Sequence, residues 1–491
     1  MSGAKKIMAD TAIMTAVSLL MRTIGVSFNV YLTAKIGSQG IGLFQLIITV
    51  YSLAVTFSCA GIRLATTRVA VEITAHSHCS MAKSIRQCVL YALGSGLVFC
   101  AALYLFADKI ALLWLENPFA AYPLRILALS LPFVAMSNSL GGFFAGIGMV
   151  SQYSLVQLTE QGIKIAVTVY LLKSCVLQGD LAAVVCGMTA SEAVSFTLAL
   201  GLFTYAVKKS GCRKCTKAAD ILKMLRIAVP DAVGTCARSV LLTIEHLLIP
   251  RGLKSAGSSS AQALSAYGSI HAMALPVLLY PSAVLSSLSA LLVPELAAKL
   301  EFNDKASIER IVCKVVRLTL IFSIGTAGIM LCFARGFSYA VYSNDEATLY
   351  LRILAPLIPV MYLDMTVDGM LKGLDQQVYS MRYNIIDSAL CVVLVIILLP
   401  IFAVKGYIFI LYISELINFF LSVNRLIKVG RLRVYAADII KPLICSLLAC
   451  SAAGFAAGSI ENKAALALCV VLTGGIYYLL LRLCGAMKSF L

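Results

Sequence analysis

The sequence predicts an all-α polytopic membrane protein that crosses the bilayer about fourteen times. Two observations predict it. Of the 491 residues, 60% are hydrophobic and 13% are charged, whereas soluble domains run near 45–50% apolar with about a quarter charged. Apolar stretches of spanning length also recur from end to end, with no soluble-sized gap between them. In hydrocarbon every backbone polar group must be satisfied within the protein, which makes such stretches helices. Each needs about 20 residues to cross.

The spans fall near 11–32, 43–66, 87–107, 124–146, 153–172, 181–206 and 226–249, then 270–292, 313–334, 350–371, 383–402, 406–427, 440–459 and 464–484. Met1–Asp10 carries Lys5 and Lys6, and the apolar segment after it lacks a small-residue cleavage site, so it reads as a retained first helix. With an inside N-terminus, the connections on that side hold 20 Lys and Arg against 8 on the other. That asymmetry predicts a multi-pass protein of the cell membrane with cytoplasmic N- and C-termini. The densest basic block is Lys208, Lys209, Arg213, Lys214, Lys217 and Lys223.

Net charge is +17. In a chain of this kind it points to basic loops against anionic membrane lipids. No basic arm or aromatic-interleaved tract supports nucleic acid as a partner. Many of the 16 Cys, such as Cys59, Cys100, Cys186, Cys332, Cys391 and Cys469, lie within apolar stretches and act as small hydrophobes. Cys212 and Cys215 form one CxxC, and His76, His78 and Cys79 lie close together; neither set makes a closed four-ligand site. No metal and no cofactor is expected. The longest connections run to about twenty residues, there is no GxxxxGK[ST], and no paired catalytic constellation stands out. The expectation is a protein that is not an enzyme and that works within the membrane.

The chain echoes itself. Residues 131–146 (LPFVAMSNSLGGFFAG) and 358–373 (IPVMYLDMTVDGMLKG) share a proline, a glycine ten positions on and another four later: Pro132, Gly142 and Gly146 against Pro359, Gly369 and Gly373. The bland reading is two small-residue packing surfaces. The sharper one is two six-helix bundles of parallel topology, 1–210 with helices 1–6 and 211–435 with helices 7–12, followed by two additional helices in 436–491. Duplicated bundles are a common transporter plan, with the substrate path between halves.

Ionisable side chains near a bilayer's centre cost about 2.5–3.5 kcal/mol each on insertion scales, so they need partners, water or a function. Arg22, midway along the first span, either anchors a kink or holds an anionic group, whose phosphate oxygens a guanidinium matches with a rigid fork. On the seventh span Asp231, Arg238 and Glu245 are seven apart and project to nearly one face, with His246 beside them. Arg238 binds an anion or neutralises its acidic neighbours, and Glu245 and His246 are candidate proton carriers. Glu160 and Lys164 have the spacing of an i,i+4 pair. Asp364 and Asp368, at the same spacing, face water, bind a cation or share a proton. Arg63 and Arg68 mark the inner end of the second span, as lining of the cytoplasmic mouth or as ordinary inside charge. Glu192, Asp387 and Glu415 stand isolated in the sequence and receive no role. Arginines on separate helices favour a large anionic or amphipathic substrate over a cation.

Three stretches carry a family resemblance. They are LLMRTIGVSFNVYLTAKIGSQGIGLFQL (19–46), with Arg22, Gly25, Gly37, Gly40 and Gly42; AGIRLATTRVAVE (60–72), with Arg68 and Glu72; and GFFAGIGMVSQYSLVQLTEQGIKI (142–165), with Gly146, Gln157, Glu160 and Lys164. With its fourteen-helix pattern, the chain resembles the polysaccharide-biosynthesis branch of the multidrug/oligosaccharidyl-lipid/polysaccharide exporter superfamily, and its sporulation-type members in particular. The resemblance implies a fold related to the lipid II flippase. It also implies alternating-access transfer of a lipid-linked saccharide or peptidoglycan precursor, in cell-wall or spore-cortex synthesis, with wall-synthesis proteins as partners. Two positions depart from the pattern. Related peptidoglycan-precursor flippases carry a second arginine six residues after the first, where this chain has Phe28, and the GxP-type turn of helix two is Gly61-Ile62-Arg63. The competing readings are a cation-coupled exporter of small molecules and a non-transporting scaffold for wall or spore assembly.

Overall fold

The computed structural model describes the backbone of residues 3–76, 81–174, 180–209, 221–343, 345–432, 435–457 and 463–485. The fold is helical throughout, with no strand among the described residues. The CxxC at Cys212 and Cys215, the residues His78 and Cys79, and Arg213, Lys214 and Lys217 lie outside them, as do the side chains of His76 and Asp231.

The chain divides into two compact units, one of Met1–Gly25 with Leu43–Leu247, the other of Val26–Gly42 with Leu248–Leu491. The helices of the first part are α1 (Gly3–Cys59), α2 (Ile62–His76), α3 (Met81–Leu113), α4 (Ala121–Ala128), α5 (Leu131–Gly146), α6 (Val150–Ser174), α7 (Asp180–Lys209) and α8 (Ile221–Ser255). Helix α1 breaks at Gly37, whose φ of 71° suits glycine because no Cβ clashes there. Helix α5 is the core element. Its Leu140, Phe143 and Phe144 are buried with Ala65 and Val69 of α2, Ile85 of α3 and Tyr153 of α6. Small residues let α5 come that close. A Cβ on Gly142 would stand 2.5 Å from the Arg63 carbonyl oxygen, and one on Gly146 would stand 2.8 Å from that of Thr67.

The second part continues with α9 (Ser260–Gly268), a π-helical turn (Ser269–Ala274), α10 (Leu275–Leu279), α11 (Ala283–Glu301), α12 (Lys305–Cys332), α13 (Ala334–Tyr342), α14 (Thr348–Leu354), α15 (Ile358–Gly373), α16 (Gln377–Gly430), α17 (Ala436–Ala457) and α18 (Lys463–Leu483). Here α15 takes the place of α5. Its Val367, Met370 and Leu371 are buried with Leu292 and Leu296 of α11 and Val312 and Val316 of α12. A Cβ on Gly369 would meet Ser289 Cβ at 2.8 Å, and one on Gly373 would meet the Val293 carbonyl oxygen at 2.9 Å.

The repeat therefore extends well beyond three matched residues. Helices α5 and α15 are each 16 residues long, and both their bounds differ by 227. The starts of α4 and α14, and of α6 and α16, differ by the same amount. The partners of the paired glycines repeat at 226, from Arg63 to Ser289 and from Thr67 to Val293.

Nine helices among the described residues are long and apolar enough to cross a bilayer, ten if Pro118–Ala128 and Leu131–Gly146, bent by 44°, count as one span. The difference from about fourteen has a physical reason. Two of the nine, Leu20–Val71 and Gln377–Gly430, are 52 and 54 residues long. At 1.5 Å per residue each suffices for two crossings. Gly37 interrupts the first, and Ala403, with φ 49° and ψ −132°, interrupts the second. Helix α6, which carries Glu160 and Lys164, is not among the nine.

Candidate functional site

Each unit holds a cluster of ionisable groups inside its helices. In the first, the one-turn spacing of Glu160 and Lys164 puts both on one face of α6, and α7 packs against that helix. The approach is close at Gly187, where a Cβ would run into the Thr168 hydroxyl and stand 3.2 Å from the Lys164 carbonyl oxygen. It brings in two residues that the sequence left aside. Ser195 Oγ donates to Glu160 Oε2 at 2.7 Å. Glu192 lies within electrostatic range of both Glu160 and Lys164. The Tyr51 hydroxyl, 2.6 Å from Ser130 Oγ, also lies within the field of Glu192. The cluster thus holds Lys164, Glu160 and Glu192 within electrostatic range of one another.

In the second unit the one-turn pair on α15 separates. Asp368 forms an ion pair with Lys372 at 2.6 Å and accepts from the Ser380 hydroxyl. Asp364 accepts from Asn418 Nδ2 at 3.0 Å. Asp387 accepts from Ser414 Oγ at 2.7 Å. Glu415 lies within electrostatic range of both Asp364 and Asp387. The result is a three-carboxylate cluster built by α15 and the two arms of α16. Only Asp364 of the three was singled out from the sequence. The signal that could have found Asp387 was present: Glu160 and Asp387 are 227 apart, the repeat offset itself.

All four singled-out arginines belong to the first unit. Arg22 is half-buried on α1, whereas Arg63, Arg68 and Arg238 are exposed. Arg238 lies within a helix long and apolar enough to cross a membrane, Ala232–Ser255. Next to it, Ser239 Oγ donates to Thr56 Oγ1 of α1 at 3.2 Å, which holds that part of α8 in place. Glu245 and His246 are half-buried one turn or more further along α8, and the Asp231 side chain is outside the described residues.

Repeated helical halves, each with ionisable groups held between its helices, define the class: a multi-pass membrane protein with a transporter fold. The chain belongs to the polysaccharide biosynthesis protein family, whose profile matches residues 7–298. It is 22% identical over 387 residues to stage V sporulation protein B of Bacillus subtilis (strain 168), covering 77% of this chain and 75% of that one. The resemblance read from the first, second and fifth spans is thereby borne out. Among solved structures it resembles the lipid II flippase MurJ in an inward closed conformation, with a TM-score of 0.74 at 13% identity over 96% of this chain and 99% of that one. It also resembles an inward-facing multidrug resistance MATE family transporter of the MOP superfamily, with a TM-score of 0.65 at 12% identity over 86% and 100%. The expected fold, all-helical and related to the lipid II flippase, is the fold found.

Proposed function

We propose that this protein is a flippase that moves a polyprenyl-pyrophosphate-linked saccharide or peptidoglycan precursor across the cytoplasmic membrane by alternating access, in cell-wall or spore-cortex synthesis. The lobes of that cycle are 1–210 and 211–435, with 436–491 as two added helices and both termini cytoplasmic. Anionic lipids flank the basic loops, and wall-synthesis proteins supply or receive the substrate. One observation carries the reading. The stretch matched to the polysaccharide biosynthesis family, residues 7–298, contains Arg22, Arg63, Arg68 and Arg238. Such cations inside apolar helices are expensive unless they serve an anion or another partner. In this reading Arg22 and Arg238 hold the pyrophosphate, and Arg63 and Arg68 receive it at the cytoplasmic mouth. Glu160, Lys164, Asp231, Glu245, His246, Asp364 and Asp368 couple or brace the movement.

The test is translocation of a fluorescent lipid-linked sugar in vesicles of defined composition. Arg22→Ala and Arg238→Ala should each lower the rate at least tenfold at normal protein level. Wild-type rates in both would remove the proposal. The Asp364–Asp387–Glu415 cluster, together with the MATE-like fold, favours a second reading, cation-coupled export of small molecules. It predicts that Asp364→Asn abolishes ion-dependent efflux of a cationic dye while lipid-linked sugar is not moved by the wild type.

A further inference from the structure

A cavity of about 500 Å³ opens in the second unit, where the break in α1, the start of α9 and the start of α14 meet. Its volume lies within the usual ligand-pocket range of about 300–1,000 Å³. The floor is rigid. Gly42 and Gly268 cross so closely that a Cβ on Gly42 would run into the Leu264 carbonyl, and one on Gly268 would run into the Ser38 carbonyl. The Ser38 and Ser265 hydroxyls join across it at 2.8 Å, 227 residues apart, so the floor lies where equivalent points of the two repeats touch.

The lining is chemically selective. Ser38, Gln39, Gln262, Ser265, Glu346 and Tyr350 supply hydroxyls, amides and one carboxylate beside Ala261 and Ala266, and among the described residues no lysine or arginine lines the cavity. Gln262 is held in place by a capping box: its Oε1 accepts from Ser259 N at 3.1 Å, and its own N donates to Ser259 Oγ at 3.2 Å. That arrangement leaves the Gln262 Nε2 protons to point elsewhere. Gln39 offers both a donor and an acceptor, and is exposed. Neutral donors and acceptors set among apolar surface, with a single carboxylate and no cation, do not favour phosphate and can meet both the hydroxyls and the C–H faces of a sugar. The cavity suits a polyhydroxylated, uncharged ligand, whose many hydroxyls each need a partner once water is displaced.

We infer that this cavity binds the saccharide portion of the cargo, separately from the arginines that would take its pyrophosphate. The inference rests on the flippase reading for the identity of the cargo, but sugar binding is measurable without transport. The experiment is saturation-transfer NMR on the full chain in nanodiscs, with di-N-acetylchitobiose as the probe and sodium pyrophosphate as competitor. The wild type should transfer saturation to the disaccharide, and pyrophosphate should not displace it. Gln39→Ala and the occluding Ala261→Trp should each reduce the transfer at least fivefold with unchanged thermal unfolding, since both positions are exposed. No transfer in wild type, equal transfer in all three proteins, or displacement by pyrophosphate would each overturn the inference. The two readings fail separately. Sugar binding without lipid-linked sugar translocation removes the flippase proposal and leaves the cavity. Translocation without sugar binding does the reverse.

Discussion

In the first unit Lys164 stands one turn after Glu160; in the second, 227 residues on, Cys391 stands one turn after Asp387. The frames around these positions are the same, with 16-residue helices α5 and α15 pressed against α2 and α11 through paired glycines. The charges are not. One half balances two carboxylates with an ammonium. The other gathers three carboxylates around hydroxyl and amide donors from Ser414 and Asn418. Duplication preserved what close packing demands and left the polar residues free to diverge. The halves are therefore built alike and equipped for different electrostatic tasks.

The largest expected effect comes from reversing that difference. Lys164→Met leaves Glu160 and Glu192 facing each other without their shared cation. Breaking a buried charge pair by removing one partner typically costs about 3–5 kcal/mol; Lys164 is only half-buried, so the lower end applies here. Asp387→Asn in the other half should have the opposite sign. It removes one of three neighbouring carboxyl groups, and the amide oxygen can still accept from Ser414, so stability is unchanged or raised. Thermal unfolding in detergent measures both. Destabilisation by both substitutions, to a similar degree, would break the comparison.

A second contrast lies in the glycines. Gly142→Ala drives a methyl against the Arg63 carbonyl oxygen, which is backbone and has nowhere to go. Gly369→Ala drives one against the Ser289 side chain. Overpacking of this kind costs about 1–3 kcal/mol. Both variants should unfold at lower temperature, but only the second has a side-chain remedy. Gly369→Ala combined with Ser289→Gly should recover most of the loss. Replacing the Arg63 side chain should recover nothing for Gly142→Ala. Rescue at both sites, or at neither, would show that the two helix contacts are not made in the ways described.

These contrasts mark what the sequence discloses. Helical fold and membrane residence follow from apolar length, which is a local property. The repeat was legible from Pro132, Gly142 and Gly146 because backbone contacts tolerate only glycine, whatever polar residues surround them. The clusters were half legible. Glu160 and Lys164 lie one turn apart and announce themselves. Glu192 comes from the next helix, and Asp364, Asp387 and Glu415 are spread over 52 residues that fold into three neighbouring stretches of helix. Spacing rules work along one helix and are silent across several. For the same reason the spacing of Asp364 and Asp368 left open whether they face water, bind a cation or share a proton; in the structure Asp364 accepts from Asn418 and Asp368 pairs with Lys372.

The smallest effect is a difference in pH response at the entrance to α12. Asp304 caps that helix by accepting from Ser307 N at 3.1 Å, with Lys299 Nζ 3.6 Å away. The hydrogen bonds from Ser307, aided by Lys299, hold its carboxyl below the usual carboxylate range. A folded-state value below the unfolded one, near 3.9, means that the cap's contribution is complete above that value. It fades as pH falls through it, once the folded-state carboxyl takes up its proton. Asp304 lies partly exposed at the surface, so the effect is small and screened by salt. Helices α3 and α12 begin at Met81 and Lys305, so the corresponding sequence position is Ser80, whose side chain does not titrate in this range. Asp304→Asn should therefore lower the unfolding temperature slightly at pH 7, and the gap to wild type should narrow as the pH falls below about 4. Ser80→Ala should show no pH dependence of its own over the same interval. A gap for Asp304→Asn that does not narrow as the pH falls below about 4 would mean the cap acts through its geometry and not its charge, and this electrostatic difference between the halves would vanish.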